Sequence, residues 1–353
     1  MLSCIICNLR IMIVSVNKAV DKLVDSWYGK PRWWNYLLLP LSYLFGGLAT
    51  LRRWLYKKEF FVVQRFPVPI IIVGNITVGG TGKTPFVIYL ALLLRQKGYR
   101  PGIVSRGYKS HMKGSYRNDC QEVFAQSNPF EMGDEPVLIA HRTGCPVFVS
   151  SERGRAVEVL LRQYSCDVII SDDGLQHYAL QRDIEIAILD GMRRLGNGWL
   201  LPAGPLRESA KRLRDVDYTV ANGIAHYNES LMELRSGKTY NLKDRSKLRE
   251  LKAWSGKTVH AVAGIGNPER FFDSLRLVGI NIISHAFPDH YQFTPADVDF
   301  ADDLPVIMTE KDAIKCLNFS NQKLWCVPVK AVVSAEFETR LLSQLHSISK
   351  EGS

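Results

Sequence analysis

From about residue 70 onward the apolar positions come in unbroken, branched runs and do not alternate with polar ones. Residues 70–73, 102–105, 147–150, 168–171, 184–189 and 218–221 are such runs, and a strand of this kind is buried on both faces. Stretches with a helical period, including 84–96 and 153–163, separate several of them. The alternation predicts an α/β fold: a doubly wound, mostly parallel sheet that takes ligands at the carboxyl ends of its strands. Over 236–257 the chain turns polar and charged, as a connector or an exposed hairpin does. A second, smaller α/β lobe begins at 258, with apolar runs at 259–263, 280–286, 306–309 and 325–329. The expected divisions are an extension (1–24), an apolar helix (25–58), a nucleotide-binding domain (59–235), the connector and the second lobe (258–353).

The N-terminal segment has a different pattern. Residues 1–16 are apolar but interrupted by Asn8 and Arg10, and no small-residue cleavage site follows, which argues against a secretory signal. Met12 is a second possible start. Residues 33–48 are apolar and aromatic, bracketed by Lys30, Arg32, Arg52, Arg53, Lys57 and Lys58. This run is at the lower limit for a membrane span, and Pro40 and the Gly46-Gly47 pair argue against one straight helix. Aromatic ends and basic flanks predict a helix lying in an anionic membrane surface, with a buried core helix as the alternative.

The first apolar run leads into Thr77-Val-Gly-Gly-Thr-Gly-Lys-Thr84. Strand, glycine-rich loop, Gly-Lys-Thr and helix together form a phosphate cradle, or P-loop. Backbone N–H groups of Thr77, Val78, Gly79, Gly80, Thr81 and Gly82 surround the anion, Lys83 reaches the outer phosphates, and the Thr84 hydroxyl can ligate Mg²⁺. Thr77 stands where the usual pattern has its first glycine. A glycine turn serving only strand–helix packing would not require Lys-Thr after the last glycine. Gly264-x-Gly266 lacks the third glycine of a dinucleotide fingerprint and reads as a tight turn.

Composition narrows the partners. With 45 Lys and Arg against 35 Asp and Glu the net charge is +10, which calls for an anionic partner. A nucleic-acid binder would explain the charge but not the apolar, basic-flanked N-terminus. The 7 cysteines form no regular framework, which suits a reducing compartment, and Cys4-x-x-Cys7 has no second pair to complete a zinc site.

Several polar clusters close apolar runs. Asp172 and Asp173 end one buried strand, where an acid beside a P-loop holds Mg²⁺ or its water shell; Asp190 ends a rival strand. Asp134 in Gly133-Asp-Glu-Pro136 either caps the helix that follows or pairs with His290 of Asp289-His-Tyr291 to take a proton from a hydroxyl. In Pro202-Ala-Gly-Pro-Leu-Arg-Glu208, Arg207 is placed to neutralise phosphoryl charge and Glu208 to support a metal. Ser105-Arg-Gly-Tyr108 and Thr309-Glu-Lys-Asp312 are further strand-end clusters that also fit ordinary solvated turns.

In this order, these motifs resemble the tetraacyldisaccharide 4′-kinase family, over about residues 25–330. The resemblance implies transfer of the γ-phosphate of ATP to the 4′-hydroxyl of tetraacyldisaccharide 1-phosphate, forming lipid IVA in lipid A biosynthesis. It also implies two α/β lobes with the active site between them, and an N-terminal helix at the cytoplasmic face of the inner membrane. The family's catalytic aspartate and histidine fall on Asp134 and His290, and its acidic metal region on Asp172 and Asp173. A P-loop ATPase switch is the competing class. Many of those carry a lysine where this chain has Val78, and none needs the separate base that Asp134 and His290 offer.

Overall fold

The computed structural model describes residues 22–107 and 120–351. Residues 1–21 of the expected extension, with Cys4 and Cys7, and Tyr108 lie outside them. The chain divides into two compact units, one made of residues up to Val62 with Ile76–Val78 and Gly191–Val216, the other of everything else.

In the first unit, helices α1 (22–28), α2 (Trp33–Leu37) and α3 (Leu39–Lys57) pack on the 191–216 segment. Pro40 lies in the first turn of α3, where no amide donor is needed, so the apolar run splits at Leu38 into two helices. Asn35 joins the parts: it is fully buried, donates to Ser26 Oγ (2.9 Å) and the Ala203 carbonyl (3.0 Å), and accepts from Arg32 N (2.8 Å). Ser42 Oγ accepts from Ala203 N at 3.0 Å, and Trp27 Nε1 donates to the Pro202 carbonyl at 3.1 Å. Gly46 lets α3 approach Leu200 closely, and a Cβ there, 2.4 Å from Leu200 Cδ1, would make that side chain shift. The other side of α3, with Leu41, Tyr43, Leu44, Leu48 and Leu51, is exposed. No described helix is long and apolar enough to cross a membrane.

The second unit holds two sheets. The larger contains β1 (Ile70–Gly74), β2 (Pro101–Ser105), β3 (Gln121–Val123), β4 (Val147–Val149), β5 (Val168–Asp172), β6 (Ile184–Asp190), β7 (Tyr218–Asn222) and β8 (Ser230–Ser236). The smaller contains β9 (Thr239–Asn241), β10 (Leu248–Arg249), β11 (Thr258–Ala263), β12 (Asn281–Ala286), β13 (Val306–Thr309) and β14 (Leu324–Val327). The chain then returns, and β15 (Val329–Val333) pairs antiparallel with β8. The small sheet is thus an insert between β8 and β15, entered and left where Gly237 N donates to the Pro328 carbonyl at 2.8 Å.

The large sheet has the order β15-β8-β7-β6-β1-β5-β2-β4-β3, parallel from β8 to β4. All five residues of β1 are buried, as the apolar run requires. Helix α4 (Lys83–Gln96) follows β1, and α5 (Pro129–Met132) and α6 (Asp134–Thr143) precede β4. Helix α7 (Arg153–Gln163) packs on β2 and β4. Phe86, Leu90 and Leu94 of α4 share one core with Val137 and Leu138 of α6 and with Phe337, Leu341 and Leu345 of the last helix. In the small sheet, β14, β13, β11 and β12 are parallel and β9 and β10 antiparallel. It carries α8 (Pro268–Arg276) and α9 (Glu310–Ala313), and α10 (Ala335–Glu351) follows β15. The polar 236–257 stretch therefore supplies the short strands β9 and β10, and residues 329–351 complete the large sheet, not the second lobe.

Replacing Asn35 by Leu leaves the Arg32 N–H without its acceptor and the buried Ser26 hydroxyl without its donor, and leaves Asn197 Nδ2 as the remaining donor to the Ala203 carbonyl. Each such group costs about 1–3 kcal/mol, so the thermal midpoint should fall by several degrees. A melting curve by circular dichroism checks this.

Candidate active site

Three strand ends of the large sheet converge on the P-loop. Gly82 caps α4 at φ +95°, a backbone conformation that glycine adopts without strain, so Lys83 and Thr84 begin the helix as the motif predicts. Lys83 Nζ donates to Asn75 Oδ1 at 3.1 Å and lies 3.4 Å from Asp173 Oδ1. Asp173 is itself left-handed at φ +48°. Asp172 at the end of β5 is buried and accepts from Ser105 Oγ at 3.0 Å. Its carboxyl is pushed up to about 7 by burial and by the neighbouring charges of Glu135 and Asp173, against the pull of Lys83 and the Ser105 hydrogen bond. Asp172 Oδ1, Thr81 Oγ1 and Asn75 Nδ2 are buried around this cradle with no hydrogen-bond partner.

The rest of the loop is divided. Gly79 to Thr84 belong to the second unit, whereas Thr77 and Val78 fold with the first. There Val78 N donates to the Pro205 carbonyl at 2.9 Å, Val78 O accepts from Tyr28, and Thr77 bridges to Leu206. Arg207 and Glu208 belong to this unit as well. Arg207 N donates to the Ile76 carbonyl at 2.7 Å, and Glu208 lies 3.8 Å from Arg212.

The two sheets of the second unit meet at Asp134. Gly133 (φ +92°) caps α6, and Asp134, the first residue of the helix, accepts from Glu135 N at 3.0 Å through Oδ1. Both its carboxylate oxygens face His290 Nδ1, at 2.9 and 3.0 Å, although the residues are 156 apart in sequence. Lys311 and Lys315, on and just after α9, approach Asp134 Oδ2 to 3.6 and 3.5 Å. Burial opposes ionisation of Asp134, but the His290 hydrogen bond and the two ammonium charges outweigh it and hold the carboxyl well below the usual range. Lys311 also meets Glu135 (3.1 Å) and Asp289 (3.2 Å); burial works against its charge, yet the carboxylates hold it well above the ordinary lysine value. Arg142 of α6 contacts both oxygens of Glu310, at 2.5 and 2.6 Å. Asp312, fully buried, accepts from Gly264 N at 2.9 Å and Thr309 Oγ1 at 2.6 Å.

Such a site can bind a polyphosphate at one sheet's switch point and place a buried carboxylate–imidazole pair in the same unit. The family model described as tetraacyldisaccharide-1-P 4′-kinase matches residues 34–346. The chain belongs to that family. It is 48% identical over 330 residues to the tetraacyldisaccharide 4′-kinase of Nitrosococcus oceani, covering 93% of this chain and 96% of that one. To the enzyme of the same name from Methylobacillus flagellatus it is 49% identical over 328 residues, covering 92% and 95%. The fold is similar to a crystal structure of LpxK from Aquifex aeolicus in complex with ATP, with a TM-score of 0.73 and 31% identity over 88% of this chain and 99% of that one. The protein is accordingly a kinase, an enzyme of the tetraacyldisaccharide 4′-kinase family.

Placing the family motifs on the structure shows what sequence reasoning missed. Thr309-Glu-Lys-Asp312 is no solvated turn: Glu310 and Asp312 are buried, and Lys311 with Lys315 surrounds Asp134. Two acids and two lysines within six residues at a strand end, 310 to 315, were the available signal. Asp190, the rival to Asp172 and Asp173, is engaged by Arg270 at 3.6 Å. Among the described residues, no three or more His, Cys, Asp or Glu converge on one point to hold a metal unaided.

Because the folded protein binds the Asp172 proton more tightly than the unfolded chain does, Asp172 should make stability fall as pH rises from about 4 to about 7. Asp172→Asn should flatten that part of the curve and raise the melting midpoint above pH 7. Thermal scans across pH in EDTA check this.

Proposed function

We propose that this kinase transfers the γ-phosphate of ATP to the 4′-hydroxyl of tetraacyldisaccharide 1-phosphate, forming lipid IVA for lipid A, at the cytoplasmic face of the inner membrane. The observation that carries this reading is the Asp134–His290 contact at 2.9 Å in the unit that also holds Lys83. A sugar hydroxyl is a poor nucleophile at neutral pH, and a positioned base accelerates its attack. With Asp134 kept anionic, His290 Nδ1 carries the hydrogen of their bond and the ring is held in one orientation. The pair then takes up the hydroxyl proton as the hydroxyl oxygen bonds to the γ-phosphorus and the bond from that phosphorus to the departing ADP oxygen breaks.

Lys83 and the amides of Thr77 to Gly82 are assigned to the ATP phosphates, and Arg207 to the charge that builds up on the transferred group. Mg²⁺ fits the donor set. Buried carboxylate oxygens, one without any partner, and a hydroxyl at a helix start are hard ligands. Thr84, Asp172, Asp173 and Glu208 are the residues proposed to hold it; when bound, it would neutralise phosphate charge.

Attachment at the membrane surface is supported by the exposed apolar side of α3 and by Arg52, Arg53, Lys57 and Lys58 at its end. Within the first unit Tyr43, Gly46, Gly47, Thr50, Leu51, Trp54 and Leu200 line an open apolar groove of about 540 Å³. Nucleic acid is not a proposed partner.

Two experiments test the reading. Asp134→Ala and His290→Ala should each lower kcat by roughly 10²–10⁴-fold, and the double variant by far less than the product; multiplicative losses in a steady-state cycle with the lipid acceptor would separate the two residues. Leu44→Glu with Leu48→Glu should weaken binding to anionic vesicles by at least about tenfold, since inserting each leucine contributes roughly 1.5–3 kcal/mol. A flotation assay reads this, and unchanged binding would move the attachment elsewhere.

A further inference from the structure

Helix α8 of the inserted sheet reaches the P-loop through one side chain. Arg270 Nη2 donates to Asn222 Oδ1 at 2.9 Å, and Asn222 Nδ2 donates to the Thr81 carbonyl at 3.1 Å. Asn222 is buried at the end of β7. On its other side the guanidinium lies 3.6 Å from Asp190 Oδ2, at the end of β6. A guanidinium can only donate, so Arg270 holds the oxygen end of the amide toward itself and the nitrogen end toward Thr81. A flipped amide would set N–H₂ against guanidinium and oxygen against carbonyl, two repulsive contacts in place of two bonds. The contact is also tight, since a Cβ on Gly82 would lie 2.8 Å from Asn222 Nδ2. The turn before α8 closes on the same loop, with a Cβ on Gly266 falling 3.4 Å from Gly80 N.

We infer that Arg270 and Asn222 are positioning residues for the phosphate loop, through which α8 of the inserted sheet fixes the Thr81–Gly82 peptide. That peptide immediately precedes Lys83, and its orientation decides where the amides opening α4 point. Neither side chain is assigned to the reacting atoms, so their loss acts on ATP binding and spares the acceptor. The inference rests on the P-loop being the ATP site.

The test uses the full chain with Asn222→Ala, Arg270→Gln, their combination, Arg270→Lys, Asp190→Asn and, as a control, Lys83→Ala. ATP affinity is measured by calorimetric titration, and KM for ATP, KM for the lipid and kcat in the steady state. Asn222→Ala and Arg270→Gln should each weaken ATP binding roughly tenfold, the worth of one hydrogen bond, with the lipid KM unchanged. The combined variant should be no worse than the weaker single one. Arg270→Lys, which keeps the charge without the planar fork, should remain impaired. Asp190→Asn keeps the Arg270–Asn222–Thr81 chain and should bind ATP normally. Unchanged ATP affinity in the first two variants, multiplicative losses, or an equal loss in Asp190→Asn would overturn the inference. Normal ATP binding by Lys83→Ala would instead remove the P-loop reading on which it rests.

Discussion

A carboxylate buried like Asp134 must have its charge answered nearby, because leaving an ion unpaired away from water costs several kcal/mol. Its partners His290, Lys311 and Lys315 all come from the inserted sheet, while Asp134 sits on a helix of the large one. The charge requirement therefore acts as a docking rule: the two sheets must meet along α6 and α9. Arg142 and Glu310 extend the same contact with a largely buried pair, one guanidinium nitrogen meeting both carboxylate oxygens. A chemical need and an architectural one are met by the same atoms.

The acids divide into two electrostatic settings a short distance apart. Asp134 is surrounded by cations and stays ionised, whereas burial, and after it the neighbouring Glu135 and Asp173, raise the Asp172 carboxyl well above its ordinary range. Groups of one type, pushed in opposite directions by their surroundings, suit different tasks: one as a permanent anion beside an imidazole, the other as a site that gains from an arriving cation. Arg153 adds to the second setting. It is buried at the start of α7, and its own charge is disfavoured by burial though supported by Asp172 and Asp173.

Much of this was legible because the strands that position the P-loop are buried on both faces and so carry unbroken apolar runs. All of 70–73, 102–105, 147–150, 168–171, 184–189 and 218–221 lie in strands or at their ends. The Asp134–His290 meeting was anticipated from chemistry, since an acid opening a helix and a histidine following a strand had complementary roles. By contrast, β8 and β15 alternate inward and exposed positions and carry charge, so no unbroken apolar run marks them. Arg270 went unmarked, and the cluster holding Lys311 also fitted a solvated turn, for another reason: a basic residue looks the same in sequence whether it faces water or a buried acid. The way Asn35 and Ser42 tie the N-terminal helices to residues 191–216 depends on backbone carbonyls and amides, which no residue type announces.

The insertion between β8 and β15 also sets an order on how the chain can mature as it leaves the ribosome. Strand β8 is made early, but its outer neighbour β15 emerges only after the whole small sheet has been synthesised, roughly 5–20 s later at ordinary translation rates. Throughout that interval β8 is an open sheet edge, the kind of surface on which nascent chains aggregate. Its sequence answers this with Glu233 and Arg235, which pair at 2.7 Å and present charge along that edge. The strand that resisted recognition in the sequence is thus polar for a reason that belongs to its birth: it has to wait in water for its partner.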